Sequence, residues 1–190
     1  MVDRPAPHMP PKRSLAVLII LATLGAGAQA LEPNPKLREI AAADQQDRAG
    51  PTSGIDYTQL AGRDAERRIQ VRRLLEQGEV RVAEDYFYAA LVFQHGETVE
   101  DFKLAFSLIS IAAALRPERP GPKAAACSAW DRLLLRSGKP QWYGTQFERS
   151  AKTGNMELSA VDESAVTDED RKACGLPTLQ ESRDGAGQFK

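Results

Sequence analysis

The chain has 190 residues, with 25 Lys and Arg against 26 Asp and Glu, a formal net charge of −1, and 42% hydrophobic residues. This length suits one domain with a real core, and the near-neutral balance gives no electrostatic reason to expect nucleic acid or an anionic membrane surface as partner. Of the two histidines and two cysteines, His8 falls in an N-terminal stretch that reads as removable, so sites built from two or three histidines are excluded and only two cysteines are left as sulfur ligands; no motif asks for a cofactor, and neither metal nor cofactor is expected.

Residues 1–30 read as a removable export signal. Arg4, Lys12 and Arg13 supply the basic start, Leu15 to Leu24 the apolar run, and Ala28-Gln29-Ala30 the small-x-small cleavage pattern. Even extended to Ala28, the run is shorter than the roughly 17 to 25 residues of a spanning helix. No cysteine precedes Cys127 to carry a lipid at the cleavage site. The expectation is an exported protein, periplasmic or secreted, with no membrane contact after cleavage and a single helical domain over residues 31–180. Loss of the signal removes His8 and leaves the net charge weakly negative.

The first helix is expected to open at Asn34 with Pro35 in its first turn. Leu37, Ile40 and Ala41 mark its apolar face, and the same face continues through Asp44, Gln45 and Arg48, so an inward face ends in polar groups. Gly50-Pro51 closes it and Thr52 to Asp56 reads as linker. A second helix is expected from about Asp64 to Gln77, where Arg63, Arg67, Arg68, Arg72 and Arg73 read as a solvated face. The third, Ala83 to Gln94, carries Tyr86, Ala89, Ala90 and Phe93 on one stripe and ends at Gly96. Thr98 and Asp101 form a capping-box pattern. The helix that follows has no charge from Leu104 through Leu115, which predicts the central, most buried helix. After Pro117, Pro120, Gly121 and Pro122, a fifth helix is expected over Lys123–Ser137.

Beyond Gly138 the pattern changes. Thr145–Ser150 and Met156–Ala160 can pair as a short hairpin across Lys152-Thr153-Gly154-Asn155. Thr167 with Asp170 predicts another cap, for a single helical turn, and residues 181–190 read as a disordered tail. Cys127 and Cys174 can pair in an oxidising compartment; Cys127, in an alanine-rich run, can equally be a buried small hydrophobe. The expected fold class is all-α, a compact bundle of about five helices with a short irregular or β-hairpin C-terminal segment.

Three groups of residues are candidates for chemistry. Asp131, on an otherwise apolar helix face, needs a cation or several donors to offset desolvation. Arg132 is the nearest cation in sequence, and Arg48 or Arg72 from another helix serves as well. Gln141-Trp142-Tyr143-Gly144-Thr145-Gln146 combines amides, a hydroxyl and two aromatics, which fits either a polar-ligand pocket or a loop that satisfies its own backbone. His95 is the conventional general base of the mature chain. No Gly-x-Ser-x-Gly turn accompanies it.

The blocks Asp44-Gln45-x-x-Arg48, Ala89-Ala90-x-x-x-Gln94-His95-Gly96, Asp131-Arg132-x-Leu134 and Gln141-x-x-Gly144-Thr145-Gln146 together resemble a bacterial domain family of unknown function that carries them in this order. The resemblance covers roughly Ile40 to Pro177 and implies no reaction. A looser likeness to Sel1 and tetratricopeptide helix pairs lies in the match of Ala90 with Ala126, but too few units are visible for a solenoid. The resulting expectation is one polar cleft formed by Asp44, Gln45, Arg48, Asp85, His95, Asp131, Arg132, Gln141, Thr145 and Gln146. It would bind a small polar ligand or a peptide or protein partner. The alternatives are a hydrolase with His95 or Asp131 as general base, and a purely structural helical scaffold.

Overall fold

In a computed structural model the described residues are 31–49 and 54–186. The proposed export signal lies outside them. Five helices form the body: α1 (Pro35–Gln46), α2 (Tyr57–Glu76), α3 (Ala83–Phe93), α4 (Val99–Leu115) and α5 (Pro120–Arg136). A C-terminal layer follows, with β1 (Phe147–Arg149), β2 (Met156–Leu158), α6 (Asp168–Ala173) and α7 (Leu179–Ala186). The all-α bundle with a short C-terminal hairpin is therefore observed.

Helix starts follow their caps. The Asn34 side chain accepts from the backbone of Lys36 and Leu37 at 2.9 and 3.1 Å, which satisfies two of the amides that a helix N-terminus leaves open. Asp56 does the same for Thr58 and Gln59, and so α2 begins at Tyr57, a turn and more before the expected Asp64. Thr98 and Asp101 form the expected capping box of α4, and Thr167 and Asp170 that of α6. Pro120 takes the first position of α5, where its missing N–H leaves nothing unpaired.

The body runs up and down. At one end Asn34 meets Glu79 and Asp85, and Glu84 faces Arg116 and Arg119. At the other end Asp44 meets His95, and Arg132 meets Gln94. Helices α1, α3 and α5 are thus parallel to one another, with α2 and α4 antiparallel, and three helix C-termini gather at a single end. Leu37, Ile40, Val71, Val92, Phe93, Leu108 and Ile109 fill the core. Ala89, Ala90, Ala105, Ala112 and Ala129, all nearly or fully buried, let the α3, α4 and α5 backbones approach closely.

Three expectations change. Helix α4, uncharged from Leu104 onward, does lie between α3 and α5, but it is not buried all round: Ile111 and Leu115 are 40% and 51% exposed. Among the arginines of α2, Arg67 is buried and Arg68 half-buried, both in ion pairs; the charge run is a solvated face only in part. The segment from 181, expected to be disordered, is helical through Ala186, and Ser182 is 6% exposed. Among the described residues no helix is long and apolar enough to cross a membrane.

The hairpin forms as expected, with Phe147 opposite Leu158 and Arg149 opposite Met156. Cys127 of α5 is bonded to Cys174, the residue that closes α6, across a sequence separation of 47. Of the two roles open to Cys127, the covalent one is realised. Loop closure on this scale stabilises by about 4 kcal/mol. Replacing both cysteines by serine should lower the urea-unfolding free energy by about that amount, and limited proteolysis should then cut first beyond Gly138. An unchanged unfolding midpoint would show that the C-terminal layer is held by its noncovalent contacts alone.

Candidate functional site

A helix C-terminus leaves carbonyls without intrahelical partners, and three such ends meet here. Arginines occupy those of α1 and α3. Arg48 donates to Asp44 O at 3.0 Å, Arg68 to His95 O at 3.1 Å and Arg132 to Gln94 O at 3.2 Å. Around these contacts two hydrogen-bonded groups form, joined by Arg132.

The first group centres on Asp44, the last inward residue of α1, whose side chain is fully buried. Its Oδ1 accepts from Arg48 Nη1 at 3.0 Å, and Oδ2 accepts from Gln45 Nε2 at 2.8 Å. His95 Nδ1 lies 3.1 and 2.9 Å from the two oxygens. A carboxylate only accepts, so Nδ1 carries a proton; in the neutral ring Nε2 is then an acceptor, and in the imidazolium a second donor. Nε2 has no hydrogen-bond partner among the described residues, and His95 borders a hollow of about 450 Å³. Arg48, Asp64, Gln94, Glu97, Arg132 and Arg136 contribute its polar wall, and Ile55, Tyr57, Leu60 and Ala61 its apolar wall.

Helix α2 supports this group from behind. Arg48 also pairs with Asp64, Asp64 with Arg67 at 3.1 Å, and Arg67 with Asp47. Arg63 binds Asp47 at 2.7 Å. The hydrogen bonds from Arg63 and then Arg67 hold the Asp47 carboxyl below its ordinary value. Its stabilising effect is therefore complete above the ordinary carboxylate range and disappears as pH falls through the lowered folded-state value. Gly96 belongs here for a steric reason: a Cβ at this position would lie 2.3 Å from Asp101 Cβ, the residue whose carboxylate accepts from Glu97 N and Thr98 N.

The second group centres on Asp131, with 0% exposure. Its Oδ1 accepts from the backbone of Trp142 and Tyr143 at 2.8 and 2.9 Å. Oδ2 accepts from Thr145 N at 3.0 Å and Thr145 Oγ1 at 2.9 Å. The partner anticipated as Arg132, Arg48 or Arg72 is instead this set of four donors, three of them peptide N–H groups of one loop. Gln141, also at 0%, closes the loop from inside: Oε1 accepts from Thr145 N and Gln146 N, and Nε2 donates to Gln146 O and Ser159 O, each at 2.9 Å. Gly144 makes the turn possible with φ of 73°, which favours glycine. Arg171 of α6 donates to the carbonyls of Trp142 and Tyr143 at 3.0 and 3.3 Å from the other side.

Arg132 joins the groups, since its Nε donates to Gln146 Oε1 at 3.1 Å while Nη1 holds Gln94 O. Burial, and then the neighbouring Arg136 charge, lower its pKa from the ordinary value. Burial likewise raises that of the Tyr143 phenol.

Of the ten candidate residues, Asp44, Arg48, His95 and Arg132 meet at the hollow or directly behind it, with Gln45 bonded to Asp44 on the exposed side. Asp131, Gln141, Thr145 and Gln146 form the adjoining loop network. Asp85 does not join them. It lies at the start of α3, at the opposite end of the body, where it accepts from Asn34 N at 2.7 Å and from Arg81 N and Val82 N; it ties α1 to α3 and caps α3. Sequence reasoning missed Asp64, Arg136 and Tyr57. The i, i+3 spacing of Asp64 and Arg67 was the available signal for the first.

Among the described residues no group of three or more His, Cys, Asp or Glu is placed to hold a metal ion. Comparison of the chain with family models, curated proteins and solved structures found no match.

Asp131→Ala would strand three peptide N–H groups and a hydroxyl, and should cost about 3 kcal/mol or more in urea unfolding. Gln46→Ala, on an exposed residue outside these networks, should stay within about 0.5 kcal/mol of the unaltered protein. Equal effects of the two would contradict the assignment of Asp131 as the anchor of the loop.

Proposed function

We propose that the protein is an exported binding module whose cleft, at the end of the bundle where α1, α3 and α5 terminate, takes a small polar ligand or a peptide segment. The observation that carries this reading is the Asp44–His95 pair. Asp44 fixes the ring, and Nε2 has no partner among the described residues at the wall of a hollow of about 450 Å³, within the usual size of a small-ligand site. Arg132 adds a guanidinium held from two sides. The apolar wall of Ile55, Tyr57 and Leu60 offers desolvated contact area. Export agrees with the basic, apolar and small-x-small order of residues 1–30 and with a cystine between Cys127 and Cys174.

A second reading keeps the same geometry and makes His95 a general base toward a bound water or substrate, with Asp44 as its orienting group. Among the described residues no serine, threonine or cysteine lines the hollow, and in this reading the nucleophile is water. Asp131, also considered as a base, is fully buried with all its hydrogen bonds spent on the loop, and only His95 is carried forward in this role. The scaffold reading accounts for the Asp131 network and leaves His95 Nε2 unexplained.

A thermal-shift screen of small sugars, amino acids and short peptides tests the proposal, since a ligand at a hundred times its Kd stabilises by about 2.7 kcal/mol. A hit should be lost in Ala61→Trp, which fills the hollow from an exposed position, and weakened about tenfold or more in His95→Ala. A hit retained by both variants would place binding elsewhere. If the bound compound is recovered chemically unchanged after prolonged incubation, by mass spectrometry, the hydrolase reading fails.

A further inference from the structure

The charges at this end of the bundle do not balance. Asp44, Asp47, Asp64, Glu97 and Asp101 each have at least one arginine partner, from Arg48 or from α2. Arg132 and Arg136 have none: among the described residues no carboxylate oxygen lies within the 4.0 Å of an ion pair from either. Both border the hollow. Arg136 is held with its guanidinium carbon 5.1 Å from the centre of the Phe102 ring, a cation–π contact that leaves its N–H edge unspent. Arg132 uses Nε and Nη1 on uncharged acceptors, and its Nη2 has no partner among the described residues.

Two like charges bordering one hollow, one of them largely desolvated, repel each other unless an anion joins them. The negative ends of the three helices do not serve: carbonyls at the ends of α1 and α3 already accept from arginines, and at the end of α5 Leu133 O and Leu134 O accept from Ser137 and Lys139. A guanidinium edge matches a carboxylate or a phosphate. Asp64 and Glu97 lie on the same wall and would repel the second charge of a phosphate dianion, which favours a single negative charge. In its neutral form, with the proton held on Nδ1 by Asp44, His95 Nε2 accepts an N–H or O–H from the same ligand.

We infer that the cleft takes an organic monocarboxylate with a hydrogen-bond donor close to it, the carboxylate on Arg132 and Arg136 and the donor on His95 Nε2. This rests on the reading of the hollow as a binding site and gives its ligand a class. A peptide C-terminus, with its amide N–H, and a sugar acid, with its hydroxyls, share this chemistry. The apolar wall accommodates the remainder of either.

The test follows His95 directly. The full chain holds two histidines, His8 and His95, and their ring signals in long-range ¹H–¹⁵N spectra are assigned with His95→Gln. N-acetyl-alanyl-alanine, its C-terminal amide, glucuronic acid and inorganic phosphate are titrated in turn. The expected result is that one or both carboxylates move the His95 ring signal while the amide does not. Which carboxylate acts identifies the source. Arg136→Gln, an exposed residue whose replacement leaves the core intact, should weaken that binding about tenfold, and Arg136→Lys should restore part of it. If the amide binds as well as the acid, or phosphate binds more tightly, or Arg136→Gln has no effect, the monocarboxylate assignment is overturned while the cleft stands as a binding site. If no probe moves the His95 signal, both fall together.

Discussion

A carboxylate buried to zero exposure at the end of α1 sets the terms for this end of the molecule. An uncompensated Asp44 would carry a large desolvation penalty, and its partners are drawn from three directions: Gln45 beside it, Arg48 one turn on, and His95 from the end of α3. Each partner imposes a further requirement. Arg48 reaches Asp64, Asp64 engages Arg67, and Arg67 reaches back to Asp47. The polar cleft is thus the outer layer of a compensation that starts inside the bundle, and its residues are fixed in place by one another.

The same principle appears with different donors at Asp131. There the charge is met by peptide N–H groups, so the burial of one side chain organises an entire loop, and the loop in turn presents Gln146 to Arg132. The two buried carboxylates do different work. Asp44 aims a side chain into open space, and Asp131 converts a stretch without regular structure into a fixed wall. Arg132, bonded to both regions through neutral oxygens, makes them one unit.

Much of the fold was legible because it depends on local chemistry. The caps at Asn34, Thr98 and Thr167 and the glycine stop at Gly138 are written in adjacent residues, and the apolar stripe of α3 follows from helical spacing. What was not legible depends on distant partners. Asp56 as a cap was hidden by a linker-like context, and the α2 arginines looked solvated because, apart from Asp64, their acids lie at the end of α1 and around the start of α4. For the site, the inward continuation of the α1 face through Asp44 was readable from period alone. Asp85 was drawn into the group by its residue type, although a helix-start position three residues after Val82 equally describes a cap, which is what the structure shows. Asp131 was recognised as needing partners; that they would be backbone amides of residues 142–145 could be found only once the chain was folded.

The arginines at the helix ends show why guanidinium rather than charge alone is required there. Arg48 engages a peptide carbonyl and two carboxylates on different helices at once, and Arg68 engages a carbonyl together with Glu97. An ammonium offers three donors from one point and cannot span such separated acceptors. Exchange of Arg48 for lysine leaves the electrostatic total untouched yet breaks the geometry, so the tolerance of this surface to substitution is governed by donor shape, and a lysine-rich analogue of equal charge would not reproduce it.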